Sequence, residues 1–242
     1  MRVLAVNSSP RGKNGNTEQL LQAFLRGAQS AGAEAEVVYL KDKKINHCLG
    51  CYTCWFKTPG TCVHQDDMPE LLEKRRRSDI LVYATPLYVY TVSGMMRDFM
   101  DRALPLAMPH IVKYGNRYGH PRRYAEDDKV TRVVLVSNCG FPDRQYFSGM
   151  LETFRILCSS PFNQLSGAIL CSGGALLGIP QARPHIQWYL DACESAGREV
   201  VESGLISPST NAVLEKDIAD IESYVKQANE QFDRVLGLSR PV

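Results

Sequence analysis

Short apolar runs alternate along the chain with stretches whose apolar residues recur at helical spacing, and this alternation constrains the fold more than any other feature. Val3-Leu4-Ala5-Val6 is the first run, closed by Asn7-Ser8-Ser9-Pro10. Runs at 36–40, 80–84, 132–137 and 168–171 read as four further buried strands. Between the first two, Leu20, Leu21, Phe24, Leu25 and Ala28 repeat at helical spacing, and Gly32 stands where a helix would stop. Helices are also expected near 67–77, 93–103 and 145–157, and through most of the chain after 171, with a break at 204–211. The helix after Asp67 has Pro69 in its first turn and Lys74-Arg75-Arg76-Arg77 at its end, facing water, an arrangement that suits the helix dipole. A polar connection is expected up to about residue 128. Apolar strands alternating with helices predict an α/β fold with a parallel sheet covered on both faces. Such sheets bind ligands beyond the carboxyl ends of their strands, so the strand-to-helix loops are where chemistry is expected.

With 242 residues the chain is about one and a half average domains long. We expect one domain over 1–205, including a cysteine-rich loop at 47–67, and a helical extension over 206–242. A composition of 44% hydrophobic and 22% charged residues excludes a disordered, collagen-like or coiled-coil chain. Lys and Arg total 28 against 26 Asp and Glu, a net charge of +2 that does not suggest a nucleic-acid coat. The longest apolar stretch, 80–92, is too short to span a membrane and is broken by Thr85, Pro86 and Thr91. The opening residues lack the apolar length of a signal peptide. The expectation is a cytoplasmic protein whose eight cysteines stay reduced.

Asn7 through Thr17 follows the first strand and opens onto a helix amino terminus. Unpaired backbone N–H groups there attract an anion. Ser9 and Thr17 add hydroxyls, Asn16 an amide and Arg11 a charge. Neither a Walker loop nor a Gly-x-Gly-x-x-Gly occurs, and one basic residue reaching the phosphate, rather than several, suits a monophosphate better than a triphosphate. The competing reading is a polar loop whose Ser and Asn merely cap the helix. After the third strand, Thr85-Pro86-Leu87-Tyr88-Val89-Tyr90 can offer backbone groups and an aromatic surface to a flat ring. After the fourth, Asn138-Cys139-Gly140-Phe141-Pro142 lets the backbone approach a ligand closely at Gly140. Either loop could equally serve packing alone.

Cys48-x2-Cys51-x2-Cys54-x7-Cys62 is the sharpest local signal. Iron–sulfur clusters take four cysteines in such compact runs. Structural zinc sites more often pair two knuckles across a longer spacer. The cluster is therefore favoured over zinc, with four metal-free thiols as the remaining reading. His47 and His64 flank the loop as solvated or outer groups rather than ligands. Cys139, Cys158, Cys171 and Cys193 read as buried small apolar residues. Residues 113–129 interleave Arg117, His120, Arg122 and Arg123 with Tyr114, Tyr118 and Tyr124, then run into Glu126-Asp127-Asp128. A cover over a cofactor or a second subunit is preferred there to a single-stranded nucleic-acid site.

Ser9-Pro10-Arg11-x3-Gly15-Asn16-Thr17, the four-cysteine loop ending in Cys62-Val63-His64-Gln65-Asp66-Asp67-Met68, Thr85-Pro86-Leu87-Tyr88 and Asp101-Arg102 occur in that order. Together they resemble the iron–sulfur flavoproteins, a branch of the flavodoxin-like, NADPH-dependent FMN reductase group. The resemblance runs from the start of the chain to about Gly178. It implies a flavodoxin-like, doubly wound five-stranded parallel sheet of order 2-1-3-4-5. It also implies FMN with its phosphate on Ser9, Arg11, Asn16 and Thr17. The ring would lie on Pro86, Leu87, Tyr88 and Val89, with Asn138, Cys139 and Gly140 behind. A 4Fe–4S cluster on Cys48, Cys51, Cys54 and Cys62 is implied as well, together with a homodimer or homotetramer. The function expected is an FMN-dependent oxidoreductase or electron-transfer flavoprotein, with ferredoxin or NAD(P)H as electron donor and no membrane or nucleic-acid partner. No side-chain acid or nucleophile is required. Two rivals stand beside it: a cluster-free NAD(P)H-dependent FMN or quinone reductase, and a zinc-stabilised, non-enzymatic binding module.

Overall fold

The computed structural model describes residues 1–124 and 129–238. The acidic run at 126–128 and the last residues of the expected extension, 239–242, lie outside the described residues. In chain order the elements are β1 (Arg2–Asn7), α1 (Asn16–Ser30), β2 (Glu34–Tyr39), α2 (Thr53–Phe56), α3 (Met68–Arg77), β3 (Ile80–Pro86) and α4 (Gly94–Asp101). A hairpin of β4 (Val112–Tyr114) and β5 (Arg117–Gly119) follows. Then come β6 (Thr131–Asn138), α5 (Ser148–Leu157), β7 (Asn163–Cys171), α6 (Arg183–Glu202), α7 (Pro208–Leu214) and α8 (Ile221–Leu236).

Five strands form one parallel sheet in the order β2-β1-β3-β6-β7. This is the expected 2-1-3-4-5 order, with β6 and β7 as fourth and fifth strands. The hairpin lies in the stretch expected to be a plain connection. Its strands are three residues each, too short to show an alternating pattern. β7 starts at Asn163, earlier than its apolar run implied, because Asn163, Gln164 and Ser166 interrupt the apolar signal. α7 begins inside the expected break, where the Ser207 hydroxyl accepts the Thr210 N–H at 3.2 Å and caps the helix.

Successive strand residues point to opposite faces of the sheet, and each face has its own core. Val3, Ala5, Val82, Val134 and Ile169 pack under α1 and α6. Leu4, Val6, Leu81, Tyr83 and Leu135 pack under α3, α4 and α5. Every residue of β3 is buried, as the centre of a doubly covered sheet requires. Ile206, Leu214 and Ile218 also enter the first core, whereas α8 has no buried residue. No described helix is long and apolar enough to cross a membrane.

α1 ends as its pattern indicated, with Gly32 in the left-handed region at φ +84°. α1 and α6 cross where neither can carry a side chain. A Cβ on Gly197 would lie 1.9 Å from the Phe24 carbonyl oxygen, and one on Gly27 1.7 Å from that of Glu194. Backbone cannot yield as a side-chain tip can, so Gly197→Ala should force the helices apart. We expect a loss of about 1–3 kcal/mol in urea unfolding, typical of overpacking and opposite to the usual gain from Gly→Ala in a helix.

Candidate functional site

The loops after β1, β3 and β6 meet at the carboxyl edge of the sheet and are tied to one another. Asn7, the last residue of β1, accepts the Ser9 N–H at 2.8 Å and donates its own amide to Glu18 at 2.8 Å. The Glu18 carboxylate also accepts Gln22 at 2.8 Å and the Tyr39 hydroxyl at 2.6 Å. One carboxylate thus joins the ends of β1 and β2 to the first turn of α1. Burial, followed by the hydrogen bond to Glu18, raises the Tyr39 hydroxyl well above its ordinary pKa. Glu18 was not legible as a site residue, because a first-turn acid reads as helix-dipole chemistry.

Gly15 stands at the N-cap of α1, and no side chain caps the helix. The loop is therefore not the Ser or Asn cap that its composition allowed. A Cβ on Gly15 would lie 2.4 Å from Ser9 Oγ, so glycine keeps this concavity open. The Asn138 amide donates to Thr17 Oγ1 at 2.8 Å, and the Leu87 N–H donates to the Asn138 carbonyl at 2.9 Å. The Asn16 amide donates to the Gly174 carbonyl at 2.7 Å.

A cavity of about 420 Å³ opens within this frame. Ser9, Arg11, Asn16 and Thr17 line it from the first loop, Pro86, Leu87 and Tyr88 from the second, and Asn138, Cys139 and Gly140 from the third. Val89, grouped with them in the sequence, lines a neighbouring cavity instead. Ala175, Gly178 and Ile179 complete the wall from the turn after β7. Sequence reasoning missed this fourth loop, although Gly173-Gly174 and Gly178 after a strand were a usable signal. A Cβ on Gly178 would lie 2.8 Å from Asn16 Oδ1.

The second loop differs from expectation in one respect. Its Leu87 and Tyr88 N–H groups are already bonded, to Asn138 and Thr91, and so are not directed at a ring edge. Tyr88 and Thr91 exchange backbone bonds of 2.9 and 3.1 Å across a tight turn. Val89 and Tyr90 occupy its corners at φ +46° and +64°. A β-branched residue in that region is strained, as residues beside binding sites often are.

The cysteine loop crosses the surface near α4. Cys48 and Cys51 are exposed, Cys62 is half-buried and Cys54 is buried. Hydrogen bonding from Thr53 lowers the pKa of the Cys51 thiol. Burial raises that of Cys54, and Cys62, Cys48 and Cys51 add to the rise, so the other three thiols all lie within electrostatic reach of it. Among the described residues, no three His, Cys, Asp or Glu side chains are drawn together as a metal-binding group. His47 Nδ1 pairs with Asp98 at 2.6 Å, and His64 Nε2 lies 2.9 Å from the His47 carbonyl.

Both feet of the loop are held by a buried ion pair. Arg102 and Asp66 meet at 2.7 and 3.1 Å, with side chains 1% and 0% exposed. Asp66 also accepts the N–H groups of Asn46 and Met68, and Arg102 donates to the Asn46 carbonyl at 2.7 Å. Burial alone would raise the Asp66 pKa. The Arg102 guanidinium and the two backbone donors outweigh it and hold the carboxyl well below the carboxylate range. Arg102 Nε has no hydrogen-bond partner among the described residues, and the guanidinium as a whole lies within electrostatic reach of the Cys62 thiol.

From the basic, Tyr-rich segment, Arg123 donates to the carbonyls of Pro105 and Ala107, at 2.9 and 3.0 Å, and reaches that of Cys54 at 3.4 Å. Arg122 donates to the Lys129 and Phe162 carbonyls. Arg123 thus holds backbone beside the cysteine loop, while Arg122 holds backbone at the starts of β6 and β7. Cys139, Cys171 and Cys193 are buried as expected, while Cys158 is half-buried. Burial pushes both Cys158 and Cys171 up to about 12.

Fold and cradle together define a flavodoxin-like protein, with its site at the point where strand order reverses. Residues 1–117 match the NADPH-dependent FMN reductase family. It is similar to an iron–sulfur flavoprotein of Archaeoglobus fulgidus, 42% identical over 159 residues that cover 65% of each chain. It is also similar to an iron–sulfur flavoprotein of Methanocaldococcus jannaschii, 37% identical over 44% of this chain and 53% of that one. The matched spans thus cover between about half and two thirds of these relatives. Among solved structures, an NAD(P)H:quinone oxidoreductase from Methanothermobacter marburgensis shares the fold at a TM-score of 0.60 and 17% identity. That likeness covers 83% of this chain and 96% of that one.

Breaking the buried pair should be the most damaging change near the site. Asp66→Asn leaves the Arg102 charge uncompensated, and we expect a loss of about 3–5 kcal/mol in urea unfolding at pH 7. The folded-state pKa of Asp66 is depressed, so its contribution is full above the unfolded value near ~4 and fades as pH falls below it. The gap between wild type and Asp66→Asn should therefore narrow in acid.

Proposed function

We propose that this chain is a flavin-dependent oxidoreductase that holds FMN across the carboxyl-edge loops and a 4Fe–4S cluster on Cys48, Cys51, Cys54 and Cys62. The observation that carries the flavin half is the uncapped amino terminus of α1, opening into a cavity lined by four loops. A helix end with unpaired N–H groups favours a phosphate, and Arg11 at its mouth supplies the matching charge. The concavity that glycine keeps open at Gly15 fits a phosphate-sized group. Ser9 and Thr17 stand beside it as hydroxyl donors. Thr17 Oγ1 accepts from Asn138, which leaves its hydrogen to point into the cavity. Pro86, Leu87 and Tyr88 would flank the ring on one side, and Asn138 through Gly140 on the other.

The donor set supports the cluster half: four thiols on one loop, three of them within electrostatic reach of Cys54, with a buried guanidinium beside Cys62. When bound, FMN would exchange electrons singly or as a hydride, and the cluster would pass them one at a time. The protein's part is to bind, orient and electrostatically tune these groups, with no side chain cast as acid or nucleophile. NAD(P)H is the donor we favour, since the family that residues 1–117 match is NADPH-dependent, with ferredoxin as the other candidate. We also propose a homodimer or homotetramer, which sedimentation of the full chain would test.

Equilibrium dialysis of the purified chain against FMN tests the flavin site. We expect saturable binding, weakened about tenfold or more by Arg11→Ala, the effect of losing one charge-assisted contact. No binding with FMN in excess would overturn the assignment. Iron analysis of anaerobically prepared protein tests the cluster separately. About four irons per chain, lost in Cys54→Ser, are expected. Flavin without iron would leave a cluster-free reductase as the standing reading.

A further inference from the structure

A cavity of about 190 Å³ opens at the amino edge of the sheet, far from the flavin loops. Thr131, the first residue of β6, lines it, whereas Asn138, the last, lines the cavity at the carboxyl edge. At about 3.3 Å per residue, β6 holds the two about 23 Å apart. Arg75 and Arg76 reach the amino-edge cavity from the end of α3, His120 and Arg122 from the segment after β5, and Ser160 and Asn163 from the junction of α5 and β7. We propose that this cavity binds a small tetrahedral oxyanion, a phosphate or a phosphate monoester, and that its occupancy braces the back of the cysteine loop. The claim goes beyond the flavin and cluster reading and does not depend on it.

Charge and size fix the ligand class. Three arginines line one cavity, and none of its described lining residues is acidic. Arg75 carries the argument furthest. It is half-buried, and it has no ion pair or side-chain hydrogen bond among the described residues. Burial raises the Tyr83 pKa and the Arg75 charge opposes that rise, so this guanidinium lies within electrostatic reach of the core. A partly desolvated cation without a counter-ion is costly, and an anion in the cavity would offset that cost. Arg76 and Arg122 are held by their surroundings. Arg76 meets Glu73 at 2.9 Å and lies 3.7 Å from the centre of the Tyr124 ring. Arg122 donates to the Phe162 carbonyl at 2.7 Å and lies 5.0 Å from the centre of that ring. Guanidinium groups fixed in this way give up little freedom when an oxyanion binds. The Ser160 hydroxyl and the Asn163 amide add neutral donors. The volume is below the roughly 300–1,000 Å³ of sites for drug-sized ligands, so the occupant is small.

The cavity wall is joined to the cysteine loop. The His120 ring packs 4.9 Å from that of Trp55, the residue after Cys54. Trp55 Nε1 donates to the Leu104 carbonyl at 3.1 Å, and Arg123 donates to the Ala107 carbonyl at 3.0 Å. Leu106 and Ala107, from the same stretch, line the cavity. Arg123 also reaches the Cys54 carbonyl at 3.4 Å. An anion that orders this wall is therefore sensed by the Trp55 indole.

Isothermal titration of the FMN-supplemented full chain with orthophosphate, and separately with glycerol 3-phosphate, tests the proposal, at an ionic strength matched with potassium chloride. We expect saturable binding of one anion per chain. Arg75→Gln removes a charge-assisted contact and Ser160→Asp sets a carboxylate against the anion, so each should weaken binding at least tenfold. FMN affinity should stay within twofold in both, and circular dichroism should report folded protein. Arg155→Gln, at an exposed arginine outside the cavity, should change neither ligand. The tighter of the two anions identifies the source the site takes. In a Trp188→Phe background Trp55 is the remaining tryptophan, and its fluorescence should shift along the same saturation curve. Binding without that shift would overturn the bracing of the cysteine loop. No binding by the wild type, or equal binding by Arg75→Gln and Ser160→Asp, would overturn the site itself. Binding lost in Arg11→Ala but kept in Arg75→Gln would assign the anion to the flavin cradle and also overturn it. So would binding that appears only in a Glu126→Gln, Asp127→Asn, Asp128→Asn triple variant, which would give the cavity to the chain's own acidic run. Failure of the flavin reading has its own signature, Arg75-dependent phosphate binding without FMN binding.

Discussion

The pairing of β1 with β2 on one side and β3 on the other is the constraint on which the rest of the structure depends. β1 is where the strand order turns back, so the connections leaving β1 and β3 diverge around the carboxyl ends of the strands. Asn7 closes both ladders, opposite Tyr39 in one and Ala84 in the other. Its side chain then continues outward, accepting the Ser9 N–H and donating to Glu18. Backbone register is thereby passed directly to the loop that shapes the cavity. The two cores keep that register, because a one-residue slip of β1 would exchange Val3 and Ala5 with Leu4 and Val6 between them.

The cysteine loop is anchored differently. It has little regular structure beyond the single turn of α2, so its ends cannot be held by a ladder. Arg102 and Asp66 hold them instead. Asp66 accepts from both Asn46 and Met68, and Arg102 donates to the Asn46 carbonyl, so both feet of the loop converge on one ion pair. A buried pair adds little net stability over a well-packed apolar one. What it supplies here is directional bonding to backbone groups that no apolar side chain could satisfy.

The layered fold was legible because strands buried on both faces leave continuous apolar runs, as β3 does from Ile80 to Ala84. Strand ends were less legible. The opening of β7 lies under polar residues, and the β4–β5 hairpin is too short for any period to register. Of the candidate flavin site, the residues on the first three loops were legible because unpaired helix ends and turn glycines leave local signatures. Val89 was grouped by adjacency alone, and in its left-handed turn it lines the neighbouring cavity instead. Glu18, Asn7 and the turn after β7 were hidden. Their importance lies in contacts between distant segments, such as Asn16 with Gly174, which no local pattern records.

The hydrogen bonds that lace the loops together, Asn138 to Thr17 and Asn16 to Gly174, have a kinetic consequence. Segments stitched to one another in the native fold give up their conformational freedom when the chain folds, not when a guest arrives. Encounter then resembles docking onto a rigid mould, with little backbone rearrangement. In such a receptor, differences among related guests express themselves chiefly as residence time.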